Sequence, residues 1–224
     1  MIRPGGPLRS YGRIKSRSLK PNQERLLQHL APSLALAPGP IDPARAFPDA
    51  RVYVLEIGFG SGEHLLARAK AEPNTGLIGV EPFLNGLASC LRGIEEAGLT
   101  NVRLHQGDAR EVLARLPDAA LAQIYVLFPD PWPKTRHWKR RLIQAETLHE
   151  IARVLIPGGE LRFATDWADY AAWTLALLLR EPKLEWLAQS APDWRFPWPG
   201  HSPTRYQAKQ LGDCAPIWLR AAKR

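Results

Sequence analysis

From residue 51 onward, short apolar runs alternate with longer helical patterns, and this alternation constrains the fold more than any other feature. This alternation predicts βαβ units on a parallel sheet. Strands are predicted at 51–57, 77–81, 102–105, 121–128 and 160–164. Helices are predicted at 63–71, 83–97, 109–115, 138–154 and 167–180. The run at 121–128 is almost continuously apolar, which is typical of a strand covered by helices on both faces. We therefore expect an α/β fold, to which 184–188 and 216–221 add two antiparallel edge strands.

The chain divides into three stretches. Residues 1–20 are basic, carry Gly, Pro and Ser, and lack apolar periodicity, which predicts an arm that is disordered until it meets phosphates. Residues 21–50 read as a short helix that starts near Pro21, followed by a proline-rich connection. We expect 51–224 to form a single domain, because α/β domains commonly reach this size undivided.

The charge balance allows an acidic partner. Thirty Lys and Arg against 22 Asp and Glu give a net charge of +8, which suits nucleic acid or an anionic membrane surface. Cys90 and Cys214 fit neither a zinc spacing nor a disulfide framework, which favours a reducing cytoplasm. The longest nearly apolar run, 170–179, is far shorter than the ~20 residues of a membrane helix. We expect a soluble, cytoplasmic protein with no membrane association and no metal.

A glycine-rich loop follows the first predicted strand. The stretch VLEIGFGSGEHLL places Glu56 at the strand end and then Gly58, Gly60 and Gly62 before a helix. Alternating glycines let the backbone turn sharply and let a ligand approach closer than a Cβ would permit. The sequence therefore predicts a ligand site at this loop.

Three acids at successive strand ends indicate which ligand binds. Glu56 would repel a pyrophosphate but suits the cationic groups of S-adenosylmethionine. Glu81 can accept both ribose hydroxyls, a role shared by NAD sites. Asp108 can accept from an adenine amine while the Ala109 N–H contacts the ring. S-adenosylmethionine is favoured, and an NAD-dependent oxidoreductase stays open as the alternative.

The stretch YVLFPDPWPKTRHWKRR, at 125–141, follows the strand expected beside the first one. Pro129 and Pro131 bracket Asp130, which prevents a helix and fixes a carboxylate at the strand exit. Trp132 offers a π face on which a base could stack. This stretch predicts a pocket for a planar nucleobase beside the ligand of the glycine loop.

A basic cluster comes next. Lys139, Arg140 and Arg141 lie at the start of the predicted helix 138–154, where the helix dipole disfavours cations. Together with Lys134, Arg136 and the arm, they are interpreted as a phosphate-binding surface. His137 is given no chemical role.

These motifs carry a family resemblance. FPDPWPKTRHWKRR, LEIGFGSG, GVEP, GDAR, FATDW and a late TRY resemble the bacterial tRNA (guanine-N7-)-methyltransferases, across most of residues 10–220. The resemblance implies a Rossmann-like class I methyltransferase fold with a mostly parallel seven-stranded sheet, and methyl transfer to guanine N7 at tRNA position 46. The glycine loop, Glu56, Glu81 and Asp108 then correspond to cofactor contacts, and Asp130 to the acid beside the reacting base. The positions assigned to substrate are Lys134, Arg136, Asp166, Thr204, Tyr206 and Gln207.

One position departs from the family pattern. The family usually has T-x-Y/F-E, whereas this chain has Thr204, Arg205, Tyr206 and Gln207, so an amide replaces a carboxylate. Two alternatives remain beside the oxidoreductase. The D-P-W run resembles the loop of amino methyltransferases, which methylate an exocyclic amine, and Gln207 would also fit a tRNA-binding protein with weakened catalysis. A monomer is expected, with a dimer as the alternative.

Overall fold

The computed structural model describes residues 18–209 and 211–224, so most of the predicted arm at 1–20 lies outside the described residues. The strands are β1 (Val52–Ile57), β2 (Thr75–Val80), β3 (Val102–His105), β4 (Leu121–Leu127), β5 (Leu155–Thr165), β6 (Leu184–Trp186) and β7 (Ile217–Lys223). The α-helices are α1 (Pro21–His29), α2 (Ala31–Leu34), α3 (Pro43–Ala46), α4 (Glu63–Ala71), α5 (Leu84–Ala97), α6 (Ala109–Arg115), α7 (Ala145–Val154), α8 (Ala168–Leu178) and α9 (Pro192–Arg195). Short 3₁₀ helices span Thr135–Arg140 and Gln207–Lys209.

The strands form one seven-stranded sheet in the order β3-β2-β1-β4-β5-β7-β6. β1 pairs in parallel with β2 and β4, β2 with β3, and β4 with β5. β7 runs antiparallel to both β5 and β6. The predicted mostly parallel Rossmann-like fold is confirmed, and so is the placement of β4 beside β1.

The two C-terminal strands are antiparallel, but only β6 lies at the edge of the sheet. The prediction that both are edge strands is therefore wrong, because β7 inserts between β5 and β6. Its side chains are buried on both faces: Trp218 packs in one cluster with Tyr125, and Leu219 packs in another with Leu161. Burial on both faces is typical of an interior strand.

Helices cover both faces of the sheet. Neighbouring side chains of a strand point to opposite faces, so Leu55 and Ile78 belong to a cluster with α6 and α7. Leu77 belongs instead to a cluster with α4 and α5, which Leu26 of α1 completes. Leu26 is fully buried. The predicted short helix after Pro21 is thus present and contributes to the core.

The predicted helix 138–154 is wrong at its start. A 3₁₀ helix ends at Arg140, Arg141 is extended, and α7 begins only at Ala145. The side chain of Gln144 donates to the carbonyls of Trp138 (2.8 Å) and Arg141 (3.1 Å), which stabilises the break. Lys139, Arg140 and Arg141 therefore do not lie at an α-helix N-terminus, and the dipole argument does not apply to them.

The strand order places the ligand crevice. β2 and β3 lie on one side of β1, and β4 and β5 lie on the other. Ligands of such sheets bind outside the carboxyl ends of the strands where the order reverses. That point lies between β1 and β4, beside the glycine loop. Within the described residues, no helix combines the length and apolar character needed to cross a bilayer.

Candidate active site

The glycine loop joins β1 to α4 in a left-handed conformation. Gly58, Gly60 and Gly62 have φ values of 75°, 58° and 90°, which residues other than glycine rarely adopt. A Cβ on Gly62 would also lie 2.7 Å from the Cys90 sulfur. The loop therefore requires glycine both for its backbone conformation and for its packing on α5.

Glu81 connects the glycine loop to the start of α5. Its carboxylate accepts hydrogen bonds from the N–H groups of Gly60 (2.7 Å) and Phe83 (2.9 Å). Burial raises the pKa of Glu81; the two N–H groups oppose this rise, and the nearby carboxylates of Asp130 and Glu56 add to it. Glu81 thus fixes the loop and belongs to the same acidic group as Glu56 and Asp130.

Glu56 lies at the end of β1 and has a partner that the sequence did not predict. It is buried, and its Oε2 lies 2.7 Å from Nδ1 of His64, which is also buried. Nε2 of His64 is buried without a hydrogen-bond partner. The one feature of the sequence that could have indicated this contact was the position of His64 in the first turn of α4, just after the glycines.

The segment around His201 folds over this pair. The His201 ring stacks on His64 with centroids 5.8 Å apart, and its Nε2 lies 3.0 Å from Oε1 of Gln207. Gln207 donates its backbone N–H to the Thr204 hydroxyl at 3.2 Å. Predicted substrate residues therefore connect to Glu56 through two imidazoles, a link that sequence reasoning missed.

Asp108 caps α6 on the β3 side of the crevice. It accepts the backbone N–H of Arg110 at 2.9 Å and pairs with the Arg110 guanidinium at 2.6 Å. Burial raises the pKa of Asp108, but these hydrogen bonds outweigh burial and the pKa is lowered. Ala109 is buried directly after it. Asp108 is thus an ionised acid that the protein already partly neutralises.

Asp130 lies in a loop with two unusual backbone conformations. Phe128 and Trp132 have φ values of 51° and 44°, a left-handed conformation that is costly for aromatic residues. The Asp130 side chain reaches solvent, yet the surrounding protein desolvates its carboxyl and raises its pKa. The loop therefore holds a carboxylate in a recess of the surface that is open to a ligand.

The Arg140 guanidinium lies over the Trp132 ring, 5.0 Å from its centroid. The cation covers one face of Trp132, so stacking of a base on this residue stays a prediction that concerns the opposite face. The edge of the ring also contacts His137, with centroids 5.9 Å apart. Trp132 serves here as a platform for basic side chains.

A cavity of about 690 Å³ lies beyond β5 and β7. Asp166 lines it; its Oδ2 accepts the N–H of Gly212 at 2.9 Å, while its Oδ1 is buried without a hydrogen-bond partner. The cavity is also lined by Phe128, Pro203, Gln207, Ala208, Gly212, Asp213, Cys214, Ala215 and Pro216. A buried carboxylate oxygen without a partner next to a cavity can accept a ligand N–H group once the surrounding side chains move to expose it.

Tyr206 lies close enough to Asp166 and Asp130 for both charges to act on it. Its ring packs on Phe128 with centroids 5.9 Å apart. Burial raises the pKa of Tyr206, and the charges of Asp166 and Asp130 raise it further. The structure thus brings Asp130, Asp166 and Tyr206 into one neighbourhood.

The basic cluster is split by burial. Lys134, Arg136 and Lys139 are exposed. The pKa of His137 is lowered by desolvation and then by the cations of Arg140, Arg136, Lys134 and Lys139, in agreement with a dense positive charge. Arg141, in contrast, is buried and ion-paired with Asp169. Its assignment to the phosphate-binding surface is therefore wrong.

Solved structures with the same architecture include methyltransferases. The 16S rRNA methyltransferase KamB aligns with a TM-score of 0.55 and 15% identity, over 80% of this chain and 91% of that one. A protein from Thermoplasma acidophilum described as a putative methyltransferase aligns with a TM-score of 0.51 and 20% identity, over 78% and 69% of the two chains. At this identity the likeness concerns the fold alone, which is the Rossmann-like fold of class I methyltransferases.

Closer relatives define the family. Residues 50–212 match a family model described as a putative methyltransferase. The tRNA (guanine-N(7)-)-methyltransferase of Caulobacter vibrioides is 52% identical over 96% of this chain and 95% of its own length. That of Nitrobacter hamburgensis is 53% identical over 89% and 80%. The chain therefore belongs to the tRNA (guanine-N(7)-)-methyltransferase family.

We expect the substitution Gln207→Glu to raise the pKa of His201. Burial lowers this pKa, and the hydrogen bond that Gln207 Oε1 accepts from the ring only partly opposes the effect. A carboxylate at the same position would favour the imidazolium form more strongly than an amide does. NMR titration of the His201 ring proton in both proteins measures the difference, and the exposed His149 serves as an internal control. An unchanged His201 titration would contradict the contact.

Proposed function

We propose that this protein transfers a methyl group from S-adenosylmethionine to N7 of guanosine 46 in the variable loop of tRNA. One observation carries the proposal most directly. A group of carboxylates, which includes Glu56, Glu81 and Asp130, surrounds the carboxyl ends of β1, β2 and β4, next to an exposed basic surface. Acids suit a cationic methyl donor, and the bases suit an RNA backbone. Family membership supports the same substrate.

The residues present fit S-adenosylmethionine. The glycine loop lets a ligand approach its backbone, because nothing lies within 4 Å of where a Cβ on Gly58 or Gly60 would be. We assign Glu56 to the cationic methionine end, Glu81 to the ribose hydroxyls, and Asp108 with Ala109 to the adenine. The donor supplies an electrophilic methyl group when bound. NAD fits less well, because the buried Glu56 would face its pyrophosphate.

Guanine N7 carries a free lone pair and no proton, so its methylation needs no general base. The purine gains a positive charge in the reaction. We therefore assign to Asp130 the task of orienting the guanine and stabilising its developing charge. Asp166 is assigned to the guanine N–H edge, and Thr204, Tyr206 and Gln207 complete the substrate side.

The exposed cations are proposed to bind tRNA phosphates. Lys134 and Arg136 lie just beyond the Asp130 loop, and the arm at 1–20 would add further contacts. We propose that residues 51–224 form a single methyltransferase domain, into whose core α1 packs, and that the protein acts as a monomer in the cytoplasm, where tRNA is modified.

Replacing Lys134 or Arg136 by Ala should weaken tRNA binding, with little effect on turnover at saturation. Each lost phosphate contact should reduce the slope of log K against log salt concentration by about 1. Filter binding at several salt concentrations measures this slope. Arg45→Ala provides the control, because Arg45 is exposed on α3, before β1. Slopes equal to that of the unmodified protein would contradict the assignment.

The function is tested with labelled S-adenosylmethionine and unmodified tRNA. The labelled nucleoside is mapped by chain scission, because N7-methylguanosine has a labile glycosidic bond and an N-methylated amine does not. Scission in the variable loop is the expected result. Label without scission would support the exocyclic-amine alternative instead, and binding of both ligands without label would support a tRNA-binding protein with weakened catalysis.

A further inference from the structure

Arg141 differs from the other cations of the basic stretch because it is buried, with 2% of its surface exposed. Its Nη2 forms an ion pair with Asp169, and its Nε donates to the carbonyl of Pro131 at 2.9 Å. One guanidinium therefore holds two parts of the chain at once. A buried cation with these partners is unsuited to binding RNA phosphate.

Aromatic rings enclose the same guanidinium. Its central carbon lies 4.9 Å from the ring centroid of Trp138, 4.8 Å from that of Tyr170 and 5.5 Å from that of Trp173. Planar stacking and a rigid fork of N–H donors are properties of arginine that lysine lacks. The site is thus built for a guanidinium and not simply for a positive charge.

The two segments joined by Arg141 each carry a proposed substrate carboxylate. Pro131 directly follows Asp130. Asp169 lies in the first turn of α8, three positions after Asp166. The loop of Asp130 also contains the left-handed Phe128 and Trp132, and a strained loop persists only where its surroundings hold it.

We propose that Arg141 is a positioning residue that fixes Asp130 relative to Asp166, and hence sets the geometry in which guanine is held. The inference rests on the proposed function for the roles of the two carboxylates. It assigns to Arg141 no contact with tRNA, cofactor or the reacting atoms.

The variant Arg141→Lys tests the proposal, because it keeps the charge and removes the fork. The rate constant kcat should fall about 10- to 100-fold, the effect of misplacing reacting groups by about an ångström. The KM for tRNA and its salt dependence should stay within about twofold of the unsubstituted values, since no phosphate contact is lost. Lys139→Met is the matched control, because Lys139 is exposed. It should raise the KM for tRNA and leave kcat nearly unchanged. A lower tRNA affinity with unchanged kcat in Arg141→Lys would overturn the proposal.

A second readout does not depend on methyl transfer. The ¹³C NMR titration of the Asp130 carboxyl should move toward that of an ordinary aspartate in Arg141→Lys and stay in place in Lys139→Met. Asp169→Asn removes only the ion pair and should shift the Asp130 titration in the same direction by a smaller amount. This second variant keeps the test possible if Arg141→Lys does not fold. An unchanged Asp130 titration in a folded variant overturns the positioning role. Absence of N7 methylation by the unsubstituted protein would refute the proposed function alone.

Discussion

Asp130→Asn should lower kcat for tRNA methylation by about 100-fold or more, the usual cost of removing one preorganised group that stabilises transition-state charge. The asparagine has nearly the same shape and keeps an acceptor oxygen, but it cannot stabilise a positive charge on the purine. The dissociation constant of S-adenosylmethionine should stay within about twofold, because Asp130 is assigned to the guanine. Single-turnover kinetics and a binding titration measure the two quantities separately.

Asp49→Asn is the matched control for this substitution. Asp49 is exposed and precedes β1, at the amino end of the strands and away from the crevice. Its variant should behave as the unsubstituted protein does. Equal losses of turnover and cofactor affinity in Asp130→Asn would instead point to a structural role for the loop.

The same carboxyl should shape the pH profile. Desolvation by the surrounding protein raises the pKa of Asp130 above that of an ordinary aspartate, so the active carboxylate is protonated at a higher pH as the solution is acidified. The acid limb of kcat/KM, which reports groups of the free enzyme, should therefore lie above the usual titration range of aspartate and should be absent in Asp130→Asn.

Glu81→Gln should affect cofactor binding and not turnover, the reverse of Asp130→Asn. It should weaken S-adenosylmethionine binding about 10- to 100-fold, because a hydrogen bond to a charged group contributes about 1.5–3 kcal/mol. Glu81 also accepts the N–H groups of Gly60 and Phe83 with separate oxygens, and an amide offers only one acceptor oxygen for them. At saturating cofactor, kcat should remain near the unsubstituted value. Calorimetric titration and steady-state kinetics provide the comparison.

Glu185→Gln is the control for Glu81, since Glu185 is exposed on the edge strand β6. An unaltered dissociation constant in Glu81→Gln would remove Glu81 from the cofactor site. A large fall in thermal stability together with lost binding would assign it mainly to supporting the glycine loop.

The sheet and its ligand edge could be predicted because they follow from local patterns. Short apolar runs predicted the parallel strands. The spacing of Gly58, Gly60 and Gly62 predicted a tight loop, and these three residues do have left-handed backbone angles. Acids that directly follow strands, such as Glu81, were located by counting residues along the chain. Each of these inferences requires only neighbours within a few positions.

The features that were missed depend on contacts distant in sequence. A basic run does not reveal that Arg141 is enclosed by aromatic rings of α8, because only the folded chain brings Tyr170 and Trp173 to it. The link from Gln207 through His201 to His64 spans more than a hundred positions for the same reason. The interior position of β7 likewise depends on pairing, which periodicity does not encode.

The strand order also bears on how the protein is made. Among the described strands β7 is the last in sequence, yet it lies between β5 and β6. While the ribosome is still synthesising residues 217–223, β5 keeps an open edge and β6 has no neighbour to pair with. Unpaired edges of this kind expose a folding intermediate to aggregation. The half of the crevice that carries Asp166 is thus completed only after β7 has emerged, and the chain becomes competent for its substrate late in synthesis.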